Sequence, residues 1–265
     1  MPIKTNLKSL APAYERYKKE VPLLSGGYSA PELFPSGTVT VFPWDTEVSA
    51  WLASDRTLQP GRLLYALTGR LTGFSEKQVQ RFVAGEVTLV LLVARAAANE
   101  QVINYTARCP VCGTLERCSV VVPDNLAKVG EKAKGYQGWD EITLPDANDI
   151  LRIRPLLVAD ELAIADRPRV ACAVEPSDTG ARLIASIISV NGGAVNDGTP
   201  TALDELKQYY FALSPKDLQF FTAQVDKLTP HLDTRLMQQC PACKHGFAHE
   251  LTFDEEFFRS GGGGR

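Results

Sequence analysis

Two short segments hold the residues best suited to chemistry in this chain. Residues 109–113 read CPVCG, and residues 240–246 read CPACKHG. In each, two cysteines flank two residues, with proline directly after the first. Two thiolates at that spacing can face one point from a tight turn. Proline fixes one backbone dihedral, and Gly113 permits a left-handed residue at the exit. Two such turns supply four thiolates, the ligand set of a tetrahedral structural zinc with Zn–S of about 2.3 Å. Neither turn completes a tetrahedron alone. Their co-occurrence therefore points to Cys109, Cys112, Cys240 and Cys243 as ligands of one zinc. Two other readings stay open at this level: two pairs of buried structural thiols, or a redox pair. A thioredoxin-type CxxC opens a helix in a βαβ unit, a setting neither segment has.

The neighbouring candidates are weaker. His245, at the exit of the second turn, is a possible spare ligand. His249 reads as a strand side chain in FAHELTF. Cys118 and Cys172 lack a partner at ligand spacing and read as small core residues. A compact zinc ribbon separates its cysteine pairs by about 15–20 residues. Here the gap is far longer, so the turns must meet in space across an inserted domain. A closed site of four thiolates has no open coordination position, and acts as a clamp rather than a catalyst.

No other catalytic constellation stands out. The three histidines, His231, His245 and His249, are not beside a GxSxG elbow or an HExxH helix. No GxxxxGK[ST] loop is present, and GGAVNDG at residues 192–198 reads as a hairpin loop. The expectation is no enzyme. A net charge of −3 argues against a nucleic-acid partner. The densest basic run, YERYKKE at residues 14–20, reads as a solvated helix face. The most apolar window, residues 87–98, falls short of the about 20 residues a spanning helix needs, so no membrane is expected. The N-terminal residues carry no secretory pattern, which predicts synthesis in a cytosol where thiols stay reduced.

The elements that must position these cysteines follow from pattern. Residues 1–37 read as an extended arm. Its part from residue 22 onward is rich in Pro, Gly and Ser, with turns and little packing of its own. Residues 38–108 read as a mainly helical segment. It opens on a β-branched strand at TVTVFP, followed by a helix capped by Asp45. A further helix starts after Ser75, with Gly85 as an interruption or an end and a buried half beyond it. Residues 109–259 read as an α+β domain whose ends are joined by the two knuckles. Both knuckles lie in strand, turn, strand segments. Between them are strands at WDEITLP and ILRIRPLLV, the latter with Arg152 and Arg154 on one face, free to pair with acids of a partner or of this chain. RLIASIISVNGGAV, residues 182–195, reads as a strand with a turn at Asn191. Two helices follow, over residues 201–212 and from Ser214, which caps Pro215 and Asp217. LVADEL and DEEFF read as capping or solvated acids. Residues 260–265, SGGGGR, read as a flexible tail. The fold class is α+β: mixed strands and helices, a split zinc-ribbon-like four-cysteine clamp and an extended N-terminal arm.

Several motifs occur in a definite order: ELFPSGTVTVFPWDTEVSAWL, CPVCG, ILRIRPLLVADEL, RLIASIISVNGG and CPACKHGFAHELTFDEEFF. The whole resembles the baseplate hub and hub-assembly proteins of T-even-like contractile-tailed bacteriophages. The resemblance covers most of residues 32–259 and rests chiefly on the paired CPxC knuckles. It implies a structural component of the tail baseplate, near the hub, that docks neighbouring tail proteins. It also implies location in the virion, after synthesis in the host cytoplasm. The alternatives are an assembly chaperone that leaves before maturation and a zinc-ribbon nucleic-acid module.

Overall fold

The computed structural model describes residues 18–54, 62–97, 102–121, 138–166, 177–194, 200–230 and 235–250. Its architecture is mixed α+β, with two hydrophobic cores and small antiparallel sheets. Cys172, His231, the segment TFDEEFF, the first part of the expected arm and the tail lie outside the described residues.

The first core begins where an arm was expected. Strand β1 (Lys19–Pro22) pairs antiparallel with β2 (Thr38–Val41), from Lys19 opposite Val41 to Pro22 opposite Thr38. Lys19 and Glu20 thus belong to a strand and not to the helix face expected of the basic run. The turns between the strands bury Leu23, Leu24, Ala30 and Phe34. The reading of this stretch as having little packing of its own is corrected. Its composition signals turns, but four apolar side chains at irregular spacing fill the core from those turns. A Cβ at Gly27 would lie 2.6 Å from the Phe34 Cβ, so only glycine lets the turn close over that ring.

Helices complete this core. The Asp45 carboxylate accepts from the Val48 amide (2.8 Å) and starts α1 (Thr46–Ser54). Helix α2 (Arg62–Thr72), not singled out from sequence, buries Leu63, Leu67 and Leu71 at helical spacing. After Ser75 comes a single turn, α3 (Glu76–Val79). Gly85 separates it from α4 (Glu86–Ala97), which is buried along Val87, Leu89, Val90, Leu91, Leu92 and Ala94. Phe34, Phe74 and Phe82 meet edge to face at 4.8–5.8 Å between centroids.

The second core lies on a four-stranded antiparallel sheet in the order β5 (Asp140–Thr143), β6 (Ile150–Ile153), β7 (Ile187–Val190), β8 (Gly193–Ala194). Helix α5 (Val158–Ala165) follows β6, and α6 (Asp178–Ser186) precedes β7. The remaining helices are α7 (Pro200–Ala212) and α8 (Pro215–Leu228). Ile142, Leu151, Ile153, Leu183, Ile184, Ile187, Leu206 and Phe221 form its interior. The expected strand at residues 182–195 is corrected: the chain is helical to Ser186 and extended only from Ile187. Ser177 caps that helix by accepting from the Gly180 amide (3.1 Å), and the helical spacing buries Leu183 and Ile184. The following Ile-Ile pair then takes the strand.

Arg152 of β6 and Arg154, just past its end, find their acids within the chain. Arg152 pairs with Glu141 (3.6 Å) and lies over the Trp139 ring (4.3 Å). Arg154 donates twice to Asp160, at 2.6 and 3.0 Å, and Asp160 also accepts the Leu157 amide (2.8 Å). That capping orients α5, whose Val158 and Leu162 enter the first core while β6 serves the second. The Val158 amide donates to the Phe82 carbonyl (2.9 Å), fixing the start of α5 to the first core.

Candidate metal centre

Two hairpins bring the cysteines together. Strands β3 (Val102–Arg108) and β4 (Leu115–Val121) pair from Val102 opposite Val121 to Arg108 opposite Leu115. Strands β9 (Arg235–Gln239) and β10 (Gly246–Glu250) pair from Arg235 opposite Glu250 to Gln239 opposite Gly246. β-formers on each side of CPVCG make the first hairpin. Each hairpin closes with a cysteine turn.

The turns are copies of one another. The Cys109 amide donates to the Thr114 carbonyl (2.9 Å), and the Gly113 amide to the Cys109 carbonyl (3.0 Å). In the second turn the Cys240 amide donates to the His245 carbonyl and the Lys244 amide to the Cys240 carbonyl, both at 2.9 Å. Gly113 and Lys244, the fifth residues of the two turns, both have positive φ.

The four sulfurs of Cys109, Cys112, Cys240 and Cys243 lie within 4.8 Å of one another and could hold a metal ion. Cys109 and Cys243 approach to 3.6 Å, and Cys112 and Cys240 to 3.5 Å. A tetrahedron of thiolates at the zinc distance of about 2.3 Å has edges of about 3.8 Å, so the sulfurs already stand close to the separation that a tetrahedral ion imposes. Disulfide sulfurs sit at about 2.05 Å, and all four thiols are free. The first cysteine of each turn is buried and the second exposed, giving the site a sealed side and an open side.

Electrostatics also favours a cation. Hydrogen bonds from the Thr114 hydroxyl and backbone amide, with a further one from Cys240, pull the Cys112 thiol down to about 6. At Cys243 a hydrogen bond from the His245 backbone also pulls downward, but loss of solvent and the three neighbouring sulfurs push the thiol up to about 12. A thiolate forms readily at Cys112 and is disfavoured at Cys243. A divalent ion removes that repulsion, which is why such a cluster binds metal in its fully deprotonated form.

The surroundings hold the hairpins in register. The Gln238 amide donates to the Tyr105 hydroxyl (2.5 Å), and the Cys118 sulfur lies 3.6 Å from Gln238 Oε1. Tyr105 stacks on His249 at 5.1 Å between centroids. These bridging residues were not found from sequence. The available signal was the strand period of two, which sets Tyr105 on the same side as Cys109 and Gln238 on the same side as Cys240. Cys118 is half-buried, with a polar neighbour, instead of being a core residue. His249 is a stacked strand residue as its sequence context suggests. His245 contributes backbone groups to the turn, and its ring is not among the clustered ligand atoms.

No family model, curated protein or solved structure matches the chain. Among the described residues, no helix is long and apolar enough to cross a membrane.

Proposed function

We propose that this is a structural, non-catalytic protein whose distant segments are pinned by one zinc ion on Cys109, Cys112, Cys240 and Cys243. The observation that carries the reading is the approach of four sulfurs from two separate hairpins to within 4.8 Å. Four soft thiolates in tetrahedral spacing suit zinc, and leave no position for substrate or activated water. The ion would join residues 128 and 134 positions apart.

The order of motifs along the chain supports a more specific role: a component of a contractile phage tail baseplate, near the hub, docking neighbouring tail proteins. Apolar side chains beside the clamp suit such docking, since Val111, Leu115 and Met237 are exposed by 65%, 58% and 77%. The test is co-purification of the tagged chain with hub proteins, together with the protein content of mature particles. Stable capture and presence in the virion are expected. Capture from assembly intermediates but absence from mature particles would make it a chaperone. Binding to DNA or RNA that weakens steeply with salt, with no hub capture, would overturn the reading in favour of a nucleic-acid module.

A further inference from the structure

We infer that the four-cysteine site is also a thiol–disulfide switch. On oxidation it releases its metal and joins the hairpins covalently through Cys109–Cys243 and Cys112–Cys240.

The pairing follows from the sulfur contacts. Two sulfur–sulfur hydrogen-bonding contacts, at 3.6 and 3.5 Å, run between the hairpins. Each pair needs to close by about 1.5 Å to reach disulfide bonding distance, a shift within the reach of side-chain rotation. Two backbone hydrogen bonds hold each turn, and the Gln238–Tyr105 contact holds one hairpin on the other, so the partners are presented before any bond forms. Cys112 and Cys243 are exposed, so each inter-hairpin pair has one sulfur open to an oxidant.

The oxidant is a peroxide. Where Cys109, Cys112, Cys240 and Cys243 held zinc, their four thiolates would consume two hydrogen peroxide molecules and four protons. Two S–S bonds form, four Zn–S bonds break, and both O–O bonds are reduced. The products are two disulfides, free Zn²⁺ and four water molecules. The four electrons lost by sulfur are those gained by peroxide.

The pairing decides the consequence. A bond between Cys109 and Cys243 closes a loop across 134 residues, whereas a bond within one turn closes three. Only the long loop restricts the unfolded chain strongly, so only inter-hairpin bonds replace the metal as a pin. The fold would then keep its clamp in reducing and oxidising surroundings alike, by two different chemistries.

The test uses the full chain, zinc-loaded and treated with hydrogen peroxide. Zinc release is followed with a chromogenic chelator, and tryptic peptides are mapped without reduction. The inference predicts that peptide 109–117 becomes linked to peptide 236–244 as zinc leaves. It also predicts that the oxidised, metal-free protein melts above the reduced apoprotein. Separate internally bridged peptides, or sulfinic acids, would overturn it. In a second comparison, the C112S/C240S protein retains Cys109 and Cys243, and should crosslink at least about tenfold faster than C112S/C243S. Equal rates would overturn the assigned pairing. The inference depends on the zinc reading for the released metal alone: a chain that never held zinc yet linked the two peptides would sink that reading and support the pairing.

Discussion

Gly113 and Lys244 occupy equivalent places in the two cysteine turns, and both hold a positive φ, 73° and 61°. Glycine adopts that conformation freely, whereas a lysine is strained there. Lys244→Gly should therefore stabilise the protein by about 0.5–1 kcal/mol, the relief of strain less the added freedom of the unfolded chain. Gly113→Ala should cost about 1 kcal/mol. Nothing lies within 4 Å of a Cβ at Gly113, so that change isolates backbone strain from crowding. Denaturant unfolding of the zinc-loaded proteins measures both, and a destabilised Lys244→Gly would contradict the equivalence of the turns.

Metal uptake should release protons. With Cys112 brought down to about 6 and Cys243 pushed up to about 12, a neutral solution presents one thiolate and at least one intact thiol. Zinc must expel the Cys243 proton, so apparent affinity rises with pH and falls as acid protonates Cys112. Titration calorimetry in buffers of different ionisation enthalpy reads the proton count directly. An affinity that stayed flat from about pH 8 to about pH 5 would contradict thiolate ligation.

Glu86, buried at the start of α4, sets a second pH dependence. Burial raises its carboxyl above the ordinary 4.5, against hydrogen bonds from the Ser25 hydroxyl and amide at 2.6 and 2.8 Å. A raised folded value means that the folded state binds the extra proton. The stability from this group is full below the unfolded value and is lost as pH rises through the folded one. Glu86→Gln keeps an acceptor for Ser25 and removes the charge. It should raise Tm at neutral pH and flatten the decline above 4.5. A variant that melts lower at neutral pH, with an unchanged pH profile, would show that the buried charge carries no such cost.

Arg154 and Asp160 test the joint between the cores. Asp160→Ala leaves a largely buried guanidinium without its carboxylate and α5 without its cap, at a cost of about 2–4 kcal/mol. Asp160→Asn retains an oxygen for the Leu157 amide and should cost less. Equal losses in thermal or denaturant unfolding would mean that the cap contributes nothing.

The clamp was legible because its signal is local and repeated: two CPxC turns, the first of them between β-formers. Asp45 and Ser214, the latter accepting the Asp217 amide at 3.1 Å, were legible for the same reason, since a cap acts on amides two or three residues away. The stretch with Leu23, Leu24 and Phe34 was not, because a turn-rich segment buries side chains without a period. Arg182–Ser186 was misjudged where β-branched isoleucines masked the end of a helix that tertiary packing extends. The Tyr105–Gln238 bridge joins residues 133 positions apart, and the strand period that sets each on its cysteine's side does not pair them.

The central claim, one zinc held by four cysteines from two hairpins, is tested most directly by metal content. Elemental analysis of the purified chain should find about one zinc per molecule, the stoichiometry of a single closed site. The Cys109→Ser/Cys112→Ser protein should hold none and melt at lower temperature. Full zinc occupancy in that double variant would contradict the account.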